Sequence, residues 1–215
     1  MACVGLILLT ITASIGLPIY FRPFYYMQID NLHLTEETGY TKDELCTAYD
    51  QLLDYLTLPG KEFKTGVFRY SEEGKAHFAD CKILFSLNST VLILSTLLLL
   101  ILCLLKHRNV FIPSRPLGKH CAFLSGIGTL TLFGLIGGLA SLNFDRAFVI
   151  FHKIFFPGKD NWLFSPTKDP IINALPETYF LRCGIVIICS ILLISLGLII
   201  YGSVAQRKRR LSHVR

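Results

Sequence analysis

The sequence has no acidic residue in any of its four longest apolar stretches. Asp and Glu are absent from 2–20, 83–105, 120–142 and 179–201, and the only Lys or Arg within them is Arg182. Each stretch is close to the ~20 apolar residues that cross a hydrocarbon core about 30 Å thick. A soluble globular domain is therefore excluded, and we predict an all-α membrane protein with four transmembrane helices.

Motifs of several catalytic classes are also absent. The chain has no CxxC or HExxH pattern, which would indicate a redox pair or a zinc-dependent peptidase. It has no Gly-x-Ser-x-Gly turn and no Cys/His nucleophile arrangement. The sequence therefore does not suggest a covalent acyl-enzyme.

Basic and acidic residues lie in different connecting segments. Nine basic residues and no acid lie in 106–119 and 207–215, whereas 11 acids lie in 21–82 and the other four of the 15 lie in 143–178. The positive-inside rule then places the linker, the tail and the N-terminus in the cytoplasm. The net charge of +6 is thus a signal of membrane topology, and we expect no nucleic-acid partner.

This topology predicts a four-transmembrane-helix bundle with an extracytoplasmic cap. The predicted segments are TM1 (1–20), the cap leading into TM2 (21–82), TM2 (83–105), a cytoplasmic linker (106–119), TM3 (120–142), an extracytoplasmic interfacial helix and loop (143–178), TM4 (179–201) and a basic cytoplasmic tail (202–215). TM1 is interpreted as retained, because it lacks the basic n-region of a signal peptide. In TM3, the GxxxG at Gly134–Gly138 predicts close helix packing within the bundle.

Local patterns predict how the cap begins and ends its helices. Thr41 and Glu44 form a capping-box pattern before a Leu/Tyr stripe with helical spacing, which Pro59-Gly60 ends. Ser71 is the expected N-cap of a second helix that runs unbroken into TM2. Cys46 and Cys81 both lie outside the apolar stretches, and whether they pair stays open.

Two histidines are predicted at the same depth in the outer interface. His77 would lie ~9 Å above Ile83 if the helix entering TM2 is continuous. His152 lies at the edge of a phenylalanine stripe that predicts a short helix along the outer interface, formed by Phe144, Phe148, Phe151 and Phe155. Pro157-Gly158 should end that helix.

A pair of histidines among aromatic residues indicates acid–base chemistry. Each ring has an unperturbed pKa of ~6.5, so a pair can accept and donate protons in one reaction. Asp80, one turn after His77, could orient that ring and favour its protonated form. Two alternatives stay open: a structural role for the hydrogen-bonded rings, or a metal site on His77, Asp80 and His152 that lacks a fourth ligand.

Three further polar residues are candidates for binding or orienting a substrate. Asp145 and Arg146 precede His152 by about two turns of helix and could orient its ring or bind polar head atoms. Asn88 shares the helix face of His77 within TM2, where an amide needs partners, so either a cross-helix bond or a lining role fits.

The whole pattern resembles the bacterial lipoprotein intramolecular transacylases, the Lit family. The resemblance rests on "HFADCK" before TM2 and on "FVIFHKIFFPGKDNWLFSPTKDPIINALPETYF" before TM4. It covers nearly the whole chain and is weakest over 21–70. It implies that His77 and His152 are the two essential histidines of the family. It also makes Trp162 a candidate for binding or orienting the substrate.

The resemblance implies an acyltransferase without a cofactor or a metal. Such an enzyme moves the sn-2 acyl chain of a diacylglyceryl-modified lipoprotein to the α-amino group of the same molecule's N-terminal cysteine, giving the lyso form. The lipoprotein and membrane lipid are the expected partners of a monomer. The expected location is the bacterial cell membrane, with the site at the outer-leaflet interface. Which histidine is the base stays open.

Two functions from other classes also fit the sequence. One is a non-catalytic membrane accessory or assembly protein whose cap binds a partner. The other is a membrane lipid hydrolase, which would release free fatty acid. Analysis of a lipoprotein's N-terminal peptide separates both from acyl transfer.

Overall fold

The computed structural model describes residues 1–110 and 116–212. Residues 111–115 of the predicted linker and 213–215 of the predicted tail lie outside the described residues. The helices are α1 (Ala2–Tyr20), α2 (Pro23–Asn31), α3 (Leu34–Thr38), α4 (Lys42–Thr57), α5 (Glu72–His107), α6 (Cys121–Leu142), α7 (Phe144–Phe155), α8 (Ile171–Ala174) and α9 (Glu177–Ser212). A short 3-10 turn covers Pro116–Gly118.

Four of these helices are long and apolar enough to cross a membrane: α1, α5, α6 and α9. The prediction of an all-α membrane protein with four transmembrane helices is confirmed. Both α5 and α9 contain 36 residues, or about 54 Å at 1.5 Å per residue. They are therefore longer than a hydrocarbon core, and α5 confirms the predicted continuous helix from the cap through TM2.

The chain forms two compact units. The bundle unit contains Met1–Ile15, Ser89–Leu142 and Val186–Arg215, and the site unit contains Gly16–Asn88 and Asn143–Ile185. Each has its own internal packing. The two histidines and the predicted cap helices all belong to the site unit.

Small residues bring α6 and α9 into close contact in the bundle unit. A Cβ on Gly126 would lie 2.6 Å from the Ser195 carbonyl oxygen, and one on Gly202 would lie 2.5 Å from the Phe123 nitrogen. The hydroxyls of Thr129 and Ser195 are 2.6 Å apart. This close approach gives the helices both van der Waals contact and hydrogen bonds within an apolar unit.

The predicted role of the GxxxG pattern at Gly134–Gly138 is wrong. Apart from the adjacent residues and backbone of α6 itself, no heavy atom in residues 1–110 and 116–212 lies within 4 Å of a Cβ built on either glycine. Gly137 makes the close approach instead, with its added Cβ 2.9 Å from Ile188 Cγ2. In a helix that is apolar on every face, spacing alone does not indicate which glycine meets the neighbouring helix.

The predicted capping box at the start of α4 is confirmed. The Thr41 hydroxyl accepts a hydrogen bond from the Glu44 backbone N–H at 3.3 Å, and the Glu44 carboxylate accepts one from the Thr41 N–H at 2.8 Å. This satisfies two backbone donors at the helix start. The predicted stripe on α4 is buried in the core of the site unit: Leu45, Tyr49, Leu52 and Leu56.

Three tyrosines join α2, α4 and α9 in the site unit. Tyr25 stacks on Tyr49 with ring centroids 3.9 Å apart, and the Tyr179 ring meets Tyr25 edge-on at 5.4 Å. The Tyr25 hydroxyl donates to the Ala174 carbonyl at 3.1 Å, and the Tyr49 and Tyr179 hydroxyls are 3.2 Å apart. Buried aromatic rings whose hydroxyls are paired hold the cap to α8 and α9.

Asp169 fixes the first turn of α5. Its carboxylate accepts hydrogen bonds from the Ser71 backbone N–H at 2.7 Å and from the Ser71 hydroxyl at 2.8 Å. That hydroxyl in turn caps the helix by accepting from the Gly74 N–H at 3.0 Å, so the predicted N-cap is confirmed. A Cβ on Gly74 would lie 2.3 Å from Asp169 Oδ1, so only glycine leaves room for this carboxylate.

We expect Asp169→Ala to lower the free energy of unfolding by roughly 3 kcal/mol, because hydrogen bonds to charged groups contribute about 1.5–3 kcal/mol each. Thermal unfolding of the purified protein in detergent measures the change. Gly74→Ala should also destabilise the protein, because its methyl group takes the space of the carboxylate. Glu62→Ala is the matched control, since Glu62 is exposed and its ion pair with Lys64 is long, at 3.6 Å. An Asp169→Ala protein as stable as the Glu62→Ala protein would contradict this role.

Candidate active site

His77 and His152 lie next to each other inside the site unit. His77 is in the second turn of α5, His152 is in the last turn of α7, and their ring centroids are 5.8 Å apart. The two residues are only 6% and 7% exposed. Two ionisable rings that are buried next to each other are a candidate catalytic pair.

The helix that carries His152 follows the predicted phenylalanine pattern. α7 runs from Phe144 to Phe155, and the Asn143 side chain caps its start by accepting from the Arg146 N–H at 2.8 Å. The helix ends just before Gly158, which has a φ of 72°. The predicted helix and its termination at Pro157-Gly158 are confirmed.

Aromatic side chains surround both histidine rings. Phe156 and Phe164 meet the His77 ring edge-on, with centroids 4.9 and 5.4 Å away. Trp162 stacks on the His152 ring at 4.5 Å with an interplanar angle of 25°. Phe148 lies on the same ring at 4.3 Å. This shell removes water from the rings and fixes their planes.

His152 has a defined tautomer. Its Nδ1 lies 2.8 Å from the Phe148 carbonyl oxygen. A carbonyl only accepts hydrogen bonds, so Nδ1 carries the proton and donates it, and Nε2 of the neutral ring keeps its lone pair. The His152 ring therefore presents a proton acceptor at Nε2.

His77 uses its two ring nitrogens differently. Nε2 lies 3.4 Å from the sulfur of Cys81, four residues later in α5. Nδ1 is buried and has no hydrogen-bond partner within the described part of the chain. Buried polar atoms usually have partners, because an unpaired one costs about 1–3 kcal/mol. Nδ1 is therefore the atom of the His77 ring with unused hydrogen-bonding capacity.

Burial keeps both rings neutral near pH 7. Burial, reinforced by repulsion from His152, lowers the pKa of His77 to about 4. Burial also lowers the pKa of His152, and the hydrogen bond to the Phe148 carbonyl opposes that change. Asp80 does raise the pKa of His77, but burial outweighs it. Asp80 therefore favours the protonated form of His77 as expected, although burial keeps the ring neutral near pH 7.

Asp80 binds the loop after α7 rather than the ring of His77. Its carboxylate accepts hydrogen bonds from Lys159 Nζ at 2.6 Å and from Asn161 Nδ2 at 3.3 Å. The Lys159 ammonium group is the main cause of its lowered pKa. A charged ammonium group competes for a carboxylate better than a neutral imidazole does. Asp80 is thus adjacent to the site but does not orient His77 by a hydrogen bond.

Trp162 is the one orienting candidate that contacts a histidine ring directly. Besides stacking on His152, its indole N–H donates to the Lys159 carbonyl at 2.9 Å. The loop 156–164 therefore carries Phe156, Trp162 and Phe164 against the two histidines. Asp80 anchors this loop to α5 through Lys159.

The other three candidates lie away from the rings. Asn88 is buried in α5 beside Gly16, 11 residues after His77, which is roughly 16 Å along the helix axis. Asp145 and Arg146 are exposed in the first turn of α7, roughly 10 Å along the axis from His152. Asp145 instead lies beside Glu177, whose pKa is raised by burial and by this neighbouring carboxylate.

Two residues that contribute to the site, Lys159 and Asn161, have no clear signal in the sequence. Both contact Asp80, about 80 positions earlier, and these contacts form only when α5 meets the loop after α7. The available signal for this contact was the pair of opposite charges on Asp80, one turn after His77, and on Lys159, soon after His152. In the described ranges, no group of three or more His, Cys, Asp or Glu side chains is placed to hold a metal ion.

Comparison with known proteins identifies the family. The family model described as lipoprotein intramolecular transacylase Lit matches residues 1–180. This chain belongs to the Lit family. It is therefore a bacterial, membrane-integral acyltransferase of lipoproteins, which favours acyl transfer over the accessory and hydrolase alternatives. No curated protein sequence matches the chain.

Solved structures of Lit from Bacillus cereus have the same fold. One is 26% identical to this chain, with a TM-score of 0.83 over 97% of this chain and 94% of the other. Two variants of that protein, with a histidine replaced by arginine or by alanine, are also 26% identical and have TM-scores of 0.78. The matches to the variants cover 98% of this chain and 91% and 92% of theirs.

We expect the fluorescence of Trp162, the single tryptophan, to report the protonation of His152. An imidazolium quenches a stacked indole more strongly than a neutral imidazole does. Because burial lowers the pKa of His152, emission should fall on acidification with a midpoint below the ordinary value of ~6.5. His152→Gln should abolish this transition, and His33→Asn should leave it unchanged. A midpoint at or above ~6.5 would contradict the buried, neutral state.

Proposed function

We propose that this transacylase moves the sn-2 acyl chain of a diacylglyceryl-modified lipoprotein to the α-amino group of its own N-terminal cysteine. His77 and His152 are the catalytic acid and base. One observation carries the proposal: two neutral imidazoles, 5.8 Å apart, offer a lone pair at His152 Nε2 and an unpaired nitrogen at His77 Nδ1. Such a pair can remove one proton and supply another in the same reaction.

The substrate supplies both reacting groups, so no nucleophile of the enzyme is needed. The enzyme mainly has to fold the lipoprotein's N-terminus until its amine meets the ester carbonyl. Well-oriented intramolecular groups reach effective molarities of ~10⁵–10⁸ M, which corresponds to ~7–11 kcal/mol of the barrier. The rigid aromatic shell around His77 and His152 suits this positioning role.

His152 is the base in this mechanism. Its Nε2 removes the proton that the amine must lose as the nitrogen–carbon bond forms. The Phe148 carbonyl, 2.8 Å from Nδ1, holds the ring in place and stabilises the imidazolium that results. The Trp162 stack keeps the ring from rotating away from the substrate.

His77 is the hydrogen-bond donor and acid. With a pKa of about 4 it is neutral at pH 7, so it acts through a ring N–H. That N–H binds the developing negative oxygen and passes a proton to the glyceryl oxygen as the ester bond breaks. In the same step the protonated His152 gives the amine's proton to His77, so His77 returns to its neutral form and is not left as an imidazolate. An N-acyl bond forms, the sn-2 ester bond breaks, and no proton is gained or lost overall.

The proposed location of the site is the outer leaflet of the bacterial cell membrane. One face of α7 exposes Phe151, Ile154 and Phe155 by 46%, 66% and 49%. A short helix with such a face, next to a transmembrane helix, is suited to the membrane interface. We further propose that the termini are cytoplasmic and that the protein acts as a monomer on lipid-anchored substrate.

Substitution of either histidine tests the proposed chemistry. We expect His77→Ala and His152→Ala each to lower formation of the N-acyl lyso product by about 10²–10⁴-fold, the usual contribution of an acid or base. The double variant should be little worse, because the two groups act as one unit. Mass spectrometry of a lipoprotein's N-terminal peptide measures the product.

Two matched variants separate catalysis from structure. His33→Asn should retain activity, since His33 is exposed and asparagine tolerates its left-handed φ of 52°. His152→Gln should stay inactive, because an amide keeps polarity but does not exchange protons near pH 7. A fully active His152→Gln protein would reduce His152 to a hydrogen-bonding anchor and overturn the proposal.

Labelling in intact cells tests the proposed orientation. Glu62 is exposed, so the thiol of a Glu62→Cys variant should react with a membrane-impermeant maleimide, and wild-type protein gives the background from its native thiols. A green fluorescent protein fused after Arg215 should be fluorescent, because this reporter folds in the cytoplasm. If the Glu62→Cys variant were labelled only after lysis, the orientation and the location of the site would be reversed.

A further inference from the structure

Cys81 is positioned to act on His77. The residue lies one helical turn after His77 in α5, and its sulfur is 3.4 Å from His77 Nε2. The thiol is free. A sulfur–nitrogen contact at this distance within one helix holds the two side chains in a fixed relation. Cys81 can therefore influence the reaction through His77.

The Cys81 thiol keeps its proton. Burial raises the pKa of Cys81 to about 12, and burial lowers the pKa of His77 to about 4. The pair is therefore a neutral thiol beside a neutral imidazole, not the thiolate–imidazolium pair of a cysteine nucleophile. What the thiol offers His77 is an S–H donor.

The direction of this hydrogen bond follows from the acceptor strengths. An imidazole nitrogen with a free lone pair is a much better acceptor than a thiol sulfur, which accepts only weakly. The S–H group of Cys81 therefore donates to Nε2. A neutral imidazole carries one ring proton, so that proton must then be on Nδ1. Nδ1 is the buried atom without a partner in the described ranges.

We propose that Cys81 is a positioning residue that holds His77 in the Nδ1–H tautomer, so that the N–H donor faces the substrate oxygen. The inference rests on the proposed function, because it specifies how His77 can act as the donor. Free imidazole rings favour the Nε2–H tautomer in water, which would direct the proton at Cys81. The thiol reverses that preference.

Both histidines then carry their ring proton on Nδ1, but they leave different nitrogens free for the substrate. His152 uses its N–H on the Phe148 carbonyl and leaves a lone pair at Nε2. His77 uses its lone pair on Cys81 and leaves an N–H at Nδ1. One backbone carbonyl and one thiol thus divide the acid and base roles between two chemically identical rings.

The tautomer is measured directly by NMR of protein labelled with ¹⁵N and ¹³C at histidine, with His77 identified by its loss in His77→Gln. Wild type should show Nδ1–H at His77. Cys81→Ala should shift it toward Nε2–H, and Cys81→Ser, which keeps a hydroxyl donor, should restore Nδ1–H in part. Cys46→Ala, a half-buried thiol on α4, is the matched control and should change nothing.

Kinetics test whether the tautomer matters. We expect Cys81→Ala to lower kcat about tenfold, part of the ~10²–10⁴ available to an acid, with KM changed less than about twofold and Cys81→Ser partly active. In a His77→Ala background, Cys81→Ala should cause no further loss, since it acts only through His77. A residue that merely packs would lower activity equally in both backgrounds.

The results distinguish a failure of the proposed role of Cys81 from a failure of the proposed function. The role of Cys81 alone would be overturned if His77→Ala is inactive and His77 of the wild type carries its proton on Nε2. It would also be overturned if His77→Ala is inactive while Cys81→Ala is fully active and leaves the His77 tautomer unchanged. An active His77→Ala protein would overturn the proposed function itself. Thermal unfolding of each Cys81 variant checks that its fold is retained, and Cys81→Ser supplies the test if Cys81→Ala does not fold.

Discussion

The burial of two imidazole rings against each other is the constraint on which the site depends. Two rings 5.8 Å apart in an aromatic shell cannot both be charged without a large cost, because desolvation and mutual repulsion act in the same direction. Their neutral state is what allows each to present one defined hydrogen-bonding atom. The structure around them is largely a means of keeping water out and the ring planes fixed.

Two carboxylates perform much of this fixing from a distance in sequence. Asp169 holds the start of α5 through Ser71, and Asp80 holds the loop after α7 through Lys159. Both contacts join α5 to the 156–170 region, one on each side of His77. Neither carboxylate touches a histidine ring by a hydrogen bond within the described ranges, yet together they determine where His77 meets His152 and Trp162.

Much of this architecture was predictable from the sequence because its signals are local. The transmembrane stretches, the Thr41–Glu44 capping box and the phenylalanine helix each follow from spacing within a few turns. The pairing of His77 with His152 was predictable from depth in the membrane, which converts position along each helix into a shared height. The partners of Asp80 were not predictable, since Lys159 and Asn161 meet it only through tertiary contact. The failure at Gly134–Gly138 has the same cause, because an apolar helix carries no mark of the face its neighbour occupies.

The aromatic shell also has a consequence for the amine of the substrate. A lipoprotein's α-amino group has an ordinary pKa near ~8, so at neutral pH it arrives mostly as an ammonium ion, which is not a nucleophile. The surroundings that lower the pKa of His77 and His152 disfavour any cation placed between them. On the proposed mechanism, entry into the shell therefore shifts the ammonium toward the free amine before either histidine acts. The aromatic shell then contributes to the chemistry as well as to positioning, because it favours the free amine that acts as the nucleophile.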